Sequence, residues 1–198
     1  QHKARFPRLN EPDPSYHGVV YVEALGPAAF IGRARVVPLR NTGAAISPFN
    51  SFLILQGIET LPVRMDRHCE NAVKAAEYLR SHAQVAWVKY PALADSPERP
   101  LVDKYMGGRG SSILSFGIKG GRETGAKFID ALKLVTRLVN IGDAKSLACH
   151  PATTTHRQLS PDELARAGVS EDLVRLSIGI EHIDDILADL EQALTAAR

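Results

Sequence analysis

The stretch DLVRLSIGIEHIDDILADLEQAL, from Asp172 to Leu194, decides the fold because it places an apolar strand directly before an amphipathic helix. Apolar residues dominate Leu173 to Ile180, which predicts a strand. The segment from Ile183 to Ala196 predicts a helix, because its apolar residues form one stripe at helical spacing: Ile183, Ile186, Leu187, Leu190 and Leu194. A strand followed by a helix is typical of a domain in which helices pack on a sheet.

The residues before this stretch show the same alternation of strand and helix patterns. Val85 to Leu93 and Ser111 to Lys119 are strand-like, and a loop rich in proline and charge, Ala94 to Gly110, separates them. We therefore expect an α/β or α+β sandwich with the helices on one face of a sheet. The remaining segments predict, in order, a helix from Arg122 to Leu134, a strand from Arg137 to Ile141, a long loop to Leu159 and a short helix from Ser160 to Ala167.

The part of the chain before Val85 has helical signals. Ser47 can accept a hydrogen bond from an unpaired helix amide, and Pro48 has no amide to leave unpaired, so a helix is expected to begin there. Pro62 is expected to end or bend that helix, and helical spacing resumes from Val63 to His82. The sequence thus predicts two helices, or one bent helix, in this region.

These patterns divide the chain into a helical part, residues 1–84, and an α/β domain, residues 85–198. An earlier helix is predicted near Ala28 to Leu39. The opening residues, from Gln1 to Ser15, are polar and contain proline without a helical or strand period, and the first residue is not methionine. We expect this opening to be a cut edge of a longer protein.

The composition indicates a globular protein. The chain has 198 residues, of which 44% are hydrophobic, and 24 basic residues against 22 acidic ones give a formal net charge of +2. That balance argues against nucleic acid or a membrane surface as the main partner. Two cysteines are too few for a disulfide framework, and no apolar run reaches the length of about 18 residues that a membrane span needs. The cytoplasm is the expected location.

Arg175 is the first candidate for a functional residue, because it lies in an apolar strand, where a guanidinium needs an anionic partner. Its planar fork can hold a carboxylate through two parallel hydrogen bonds. The residues alone favour a second interpretation, in which Arg175 faces solvent or pairs with a nearby acid, namely Glu171, Asp172 or Glu181.

A second candidate is the loop VNIGDAKSLACHPATTTH, from Val139 to His156, which is dense in small polar residues. Such a loop can form a site, or it can be a surface loop held by its own hydroxyl groups. His150 and His156 are six positions apart with Cys149 beside the first, a spacing that matches no zinc motif. We therefore expect no metal site here.

Three stretches together resemble the Cys/Met-metabolism family of pyridoxal-phosphate (PLP) enzymes. They are NTGAAISPFNSFLILQGIETLPVRMDRHCENA, from Asn41 to Ala72, the loop from Val139 to His156, and the stretch from Asp172 to Leu194. The resemblance implies the carboxy-terminal part of a fold-type I PLP enzyme. In it, residues 1–84 would be the end of the large PLP domain, and residues 85–198 would be a small α/β domain with a mostly antiparallel sheet.

The resemblance also implies roles for individual residues. Arg175 would bind the substrate's α-carboxylate, Asn140 would assist it, and Thr155 would line the same pocket. No catalytic residue is assigned, because none of the eight lysines stands in the Ser-x-Thr-Lys context of the family's Schiff-base lysine. PLP would be held mainly by the missing amino-terminal part, and the complete enzyme would be a homotetramer.

Glu11 to Gly26 and Pro48 to Leu61 resemble the sulfhydrylase branch of the family most. That branch makes homocysteine from O-acetylhomoserine and sulfide in methionine biosynthesis. Three alternatives stay open: cystathionine γ-synthase chemistry, methionine γ-lyase chemistry, and a non-catalytic α/β module that only assembles with a partner. The first two differ from the sulfhydrylase in leaving group and acceptor.

Overall fold

The computed structural model describes residues 2–198, so Gln1, where the sequence predicts a cut edge, lies outside the described residues. The chain divides into two compact units, one that ends at Ile58 and one that begins at Glu59. No helix in the described part is long and apolar enough to cross a membrane.

The first unit consists of short helices. The predicted helix from Ala28 to Leu39 is confirmed as an α-helix that continues into a π-helix, with Pro38 inside the latter. Asp13 holds together the residues that precede this helix. Its buried carboxylate accepts hydrogen bonds from Ser15 and from the Tyr21 hydroxyl. The first four α-helices of this unit are α1 (Pro7–Asn10), α2 (Tyr21–Leu25), α3 (Ala29–Ala34) and α4 (Arg40–Thr42).

Two longer helices follow, as the proline positions predict. Helix α5 (Pro48–Glu59) begins where Ser47 was expected to cap it, and the Asn50 amide donates to Ser47 Oγ at 3.2 Å. Helix α6 (Leu61–Ser81) begins two residues later and carries Pro62 in its first turn, where a missing amide costs no hydrogen bond. The chain therefore forms two helices here.

The second unit contains a mixed sheet whose strand order is β1-β2-β5-β4-β3. Neighbouring strands are antiparallel except for β3 and β4, which are parallel, so the expectation of a mostly antiparallel sheet is confirmed. The strands are β1 (Val85–Lys89), β2 (Ile113–Ile118), β3 (Thr136–Arg137), β4 (Leu147–Cys149) and β5 (Leu173–Ser177).

One face of the sheet forms the core. Leu114 pairs with Leu176 and Phe116 with Val174, and all four side chains are buried. Helices α6, α8 (Gly121–Ala131) and α10 (Ile183–Ala196) form the core with this face. The sequence predicted the apolar stripe of α10. Because side chains alternate along a strand, the residues between these partners lie on the other face, and Arg175 is among them.

Several sequence predictions need correction. The loop expected from Ala94 to Gly110 contains helix α7 (Arg99–Met106), which carries Pro100 in its first turn and ends at the left-handed Gly107. The strand expected from Arg137 to Ile141 is only Thr136–Arg137. The loop expected to run to Leu159 contains β4, whose three residues are too few to show a period.

The predicted short helix near the end of that loop is present. It is α9 (Pro161–Arg166), and Ser160 and Glu163 cap each other's backbone amides.

Helix α6 lies in the second compact unit, so the units of this chain do not divide between residues 84 and 85. A domain boundary at that position in a longer enzyme stays a prediction.

Candidate functional site

Arg175 lies at the centre of the sheet face opposite the core. It pairs with Ser115 in β2 on one side and with Cys149 in β4 on the other. Its sequence neighbours Val174 and Leu176 are fully buried in the core, so Arg175 extends from the opposite face and is partly exposed. The strand therefore fixes the base of a cationic side chain while its end stays accessible.

Arg175 has no ion pair with any residue in the range 2–198. The second interpretation from the sequence requires solvent or a nearby acid as its partner, and the three nearby acids all bind other groups. Glu171 pairs with Arg122 at 3.6 Å, Asp172 accepts a hydrogen bond from Trp87 Nε1 at 2.9 Å, and Glu181 accepts one from the Ser146 amide at 2.6 Å. A partly buried guanidinium without a counter-charge favours the binding of an anion.

Asn140 lies beside Arg175. Its backbone carbonyl accepts a hydrogen bond from Arg175 Nη2 at 3.4 Å, and its side-chain oxygen accepts one from the Ile141 amide at 2.9 Å. Its side-chain nitrogen has no hydrogen bond within the described residues. Because that nitrogen is a donor, it is available to a carboxylate held by Arg175.

Cys149 borders the same site from β4. Burial raises the pKa of its thiol, and the nearby Arg175 guanidinium opposes that rise only in part. The thiol therefore stays protonated and does not neutralise Arg175. A buried neutral thiol does not support Cys149 as a nucleophile.

Thr155 is exposed, and its hydroxyl lies 2.8 Å from Nδ1 of His156. No hydrogen bond joins Thr155 to Arg175 within residues 2–198. Its assignment to the carboxylate pocket stays a prediction.

His150 fixes the start of the segment that carries Thr155. The ring is buried between the Thr153 hydroxyl, 2.9 Å from Nδ1, and the Glu171 carbonyl, 2.8 Å from Nε2. Because a carbonyl can only accept, Nε2 carries the proton and Nδ1 accepts from Thr153 in the neutral ring. Burial lowers the pKa of His150 below its usual value.

The fold should therefore lose stability as His150 becomes protonated. The pKa of His150 is lower in the folded chain, so the unfolded chain binds the proton first, and the free energy of unfolding falls as pH drops through the unfolded pKa of about 6.5. We expect His150→Gln to weaken the dependence of this free energy on pH between about 5.5 and 7.5. Urea unfolding across that range measures it, with the exposed His2→Gln as a control. An unchanged pH dependence in His150→Gln would contradict this reading.

A sequence profile of the Cys/Met metabolism PLP-dependent enzymes matches residues 15–195. The chain belongs to this family. The family is defined by its use of PLP, and the resemblance in the three quoted stretches is thereby confirmed.

Relatives from the same family are similar over nearly the whole chain. O-acetyl-L-homoserine sulfhydrylase 1 of Thermus thermophilus is 50% identical over 190 residues, which are 96% of this chain and 45% of the relative. Homocysteine synthase of Schizosaccharomyces pombe is 49% identical over 193 residues, or 98% of this chain and 45% of the relative. The chain thus spans about half the length of the curated relatives it matches.

A solved relative shares the fold. The crystal structure of a putative O-acetylhomoserine (thiol)-lyase from Campylobacter jejuni is 42% identical and superposes with a TM-score of 0.87, covering 98% of this chain and 46% of that one. That protein contains N'-pyridoxyl-lysine-5'-monophosphate, a lysine joined to the cofactor. The expected fold class, part of a fold-type I PLP enzyme, is confirmed.

The described residues do not by themselves form a site for PLP. A Schiff-base lysine needs a desolvated position close to the bound substrate, whereas every lysine of this chain has an exposed side chain: Lys3, Lys74, Lys89, Lys104, Lys119, Lys127, Lys133 and Lys145. Residues 2–198 also contain no group of three or more His, Cys, Asp or Glu side chains that could hold a metal ion.

The sequence did not predict that Ser146 and Glu181 are hydrogen-bonded to each other. From the sequence, Ser146 was one of several polar loop residues and Glu181 only a possible partner of Arg175. The structure joins them to each other across 35 positions of sequence, and no local pattern marks such a pair.

Proposed function

We propose that this chain is the carboxy-terminal part of a PLP-dependent O-acetylhomoserine sulfhydrylase and supplies the site for the substrate's α-carboxylate. The observation that carries the proposal is the partly exposed Arg175 guanidinium, which has no ion pair within residues 2–198 while its three acidic neighbours bind other groups. Relatives that cover nearly the whole chain are named for O-acetylhomoserine sulfhydrylation or homocysteine synthesis.

Arg175 would bind and orient the substrate. Two parallel hydrogen bonds from its fork to a carboxylate fix both the position and the rotation of the α-carbon that bears it. Asn140 would add a third bond through its side-chain nitrogen. This arrangement decides which bond at the α-carbon is aligned for reaction, which is an effect of orientation rather than of proton transfer.

The chemistry would come from PLP, which stabilises negative charge at the substrate carbons when it is bound. In the net reaction, sulfide replaces the acetate group of O-acetylhomoserine and gives homocysteine and free acetate. The Schiff-base lysine and the cofactor's ligands would belong to the amino-terminal part of the enzyme. This chain alone is therefore proposed to be inactive.

The surface of α5 supports the proposal that a further part of the polypeptide covers this chain. An apolar helix that is hydrophobic on all sides is normally buried inside a larger protein. We propose that the amino-terminal part of the same enzyme packs on it, because the matched relatives are about twice as long as this chain. The exposed apolar side chains of α5 are Phe49, Phe52, Leu53, Ile54, Leu55 and Ile58.

We further propose a homotetramer and a location in the cytoplasm for the complete enzyme. Both follow from the family resemblance. Neither nucleic acid nor a membrane is proposed as a partner, in line with the balanced charge.

Product analysis of the complete enzyme with PLP tests the proposed reaction. O-acetylhomoserine and sulfide should give homocysteine at a higher kcat/KM than cysteine gives cystathionine, and methionine should not be degraded. A preference for cysteine would instead identify a cystathionine γ-synthase, and methionine breakdown a methionine γ-lyase. Absence of turnover with sulfide, with cysteine and with methionine would favour the non-catalytic module.

A further inference from the structure

The segment that carries Asn140 is hydrogen-bonded to strand β5, which carries Arg175, and to the residues that follow this strand. We call residues 140–146 the 140–146 loop. The Gly142 amide donates to Ser177 Oγ at 3.4 Å, and the Ala144 carbonyl accepts from the Ile180 amide at 2.9 Å. The third attachment, at Ser146, is the most extensive.

Ser146 and Glu181 form that third attachment. Glu181 accepts from the Ser146 amide at 2.6 Å through Oε1 and from the Ser146 hydroxyl at 2.9 Å through Oε2. The Ser146 hydroxyl in turn accepts from the Gly179 amide at 2.8 Å. Ser146 is fully buried, so these bonds are protected from competing water. Hydrogen bonds to an ionised carboxylate are about twice as strong as neutral ones.

The residues that carry Glu181 are held from the opposite side by α6. Asn71 donates to the carbonyls of Gly179 at 3.1 Å and Glu181 at 2.9 Å, and His68 Nδ1 donates to the Ile178 carbonyl at 2.6 Å. A Cβ atom on Gly179 would collide with Glu181 Oε2, so the packing leaves no room for a side chain at position 179. The Glu181 carboxylate is therefore a rigid anchor for the 140–146 loop.

We propose that Glu181 is a positioning residue of the carboxylate site, which acts through Ser146 to hold the 140–146 loop beside Arg175. The inference rests on the function proposed above. Glu181 does not touch the substrate. Its two bonds to Ser146 fix the end of the loop, while the Asn140 carbonyl contacts Arg175 at the other end. Without that anchor the loop must be ordered when the substrate binds, and this cost lowers affinity.

The test compares Glu181→Ala and the isosteric Glu181→Gln in the complete enzyme. Glu181→Ala should raise the KM for O-acetylhomoserine about tenfold and change kcat by about twofold or less, because an ordering cost falls on binding. Glu181→Gln keeps one acceptor for the Ser146 amide and should have a smaller effect. Amide hydrogen exchange in residues 140–146 should accelerate in both variants, a readout independent of turnover.

Glu163→Ala is the matched control. Glu163 also binds a serine through both its amide and its hydroxyl, since Ser160 N and Oγ lie 2.9 and 2.8 Å from its Oε2, but this pair caps α9. It should leave the KM and the exchange of residues 140–146 unchanged. Equal KM effects of Glu163→Ala and Glu181→Ala would overturn the proposal, because both would then reflect general destabilisation.

A double-mutant cycle separates this inference from the proposed function. If Glu181 acts through the site of Arg175, Glu181→Ala should add little to the KM of Arg175→Ala. Full additivity of the two KM effects would overturn the positioning role. An unchanged KM in both Glu181→Ala and Glu181→Gln, with both variants folded, would also overturn it. If Arg175→Ala alone leaves KM unchanged, the proposed function itself fails, whatever Glu181 does.

Discussion

Arg175→Ala in the complete enzyme is expected to raise the KM for O-acetylhomoserine by roughly 30-fold or more. Truncating one partner of a buried charge-assisted pair typically costs roughly 2 to 5 kcal/mol, and each 1.4 kcal/mol corresponds to about tenfold. The folded state should keep its stability, because Arg175 has no ion pair to lose within residues 2–198. A large KM effect without a matching loss of stability is the signature of a binding residue.

Two further variants sharpen this prediction. Arg175→Lys keeps the charge but loses the fork, so its KM should lie between those of the wild type and Arg175→Ala. Arg122→Ala removes an arginine that pairs with Glu171 at 3.6 Å and should leave KM unchanged. If Arg175→Ala turned over O-acetylhomoserine with an unchanged KM, the assignment of the carboxylate site would be wrong.

The largest effect on stability is expected for Asp189→Ala. This buried carboxylate in α10 accepts hydrogen bonds from the amides of Lys133, Leu134 and Val135, at 2.9, 2.9 and 2.8 Å. Its removal leaves these amides without their acceptor and frees the link between α8 and β3. We expect the free energy of unfolding to fall by roughly 3 kcal/mol or more.

Urea unfolding measures this loss, with Asp130→Ala as the control. Asp130 is exposed and pairs with Arg137 on the surface at 3.0 Å, so its replacement should cost about 1 kcal/mol or less. A loss in Asp189→Ala no larger than that of the control would show that water satisfies the three amides.

The longer elements of the second unit follow from the sequence because their patterns are local. Helix α10 matches the predicted bounds, since its apolar stripe repeats over several turns. Strand β5 follows from the apolar run around Arg175, although it ends three residues before the predicted end. Strand β4 could not be predicted, because its three residues form a strand only through pairing with β5 and β3.

The candidate site could be predicted only in part, for a related reason. The resemblance assigns Arg175 and Asn140, and the structure places them together. The residues alone could not show whether Arg175 pairs with a nearby acid. The answer depends on where Glu171, Asp172 and Glu181 find their partners, and each partner lies far away in the sequence.

We propose that Arg175 binds the α-carboxylate of an amino-acid substrate. A crystal structure of the complete enzyme with a substrate analogue tests it most directly. We expect both carboxylate oxygens at about 2.7 to 2.9 Å from the Arg175 guanidinium nitrogens, with the Asn140 side-chain nitrogen as a further donor. A carboxylate bound to another cation, with Arg175 facing solvent, would contradict it.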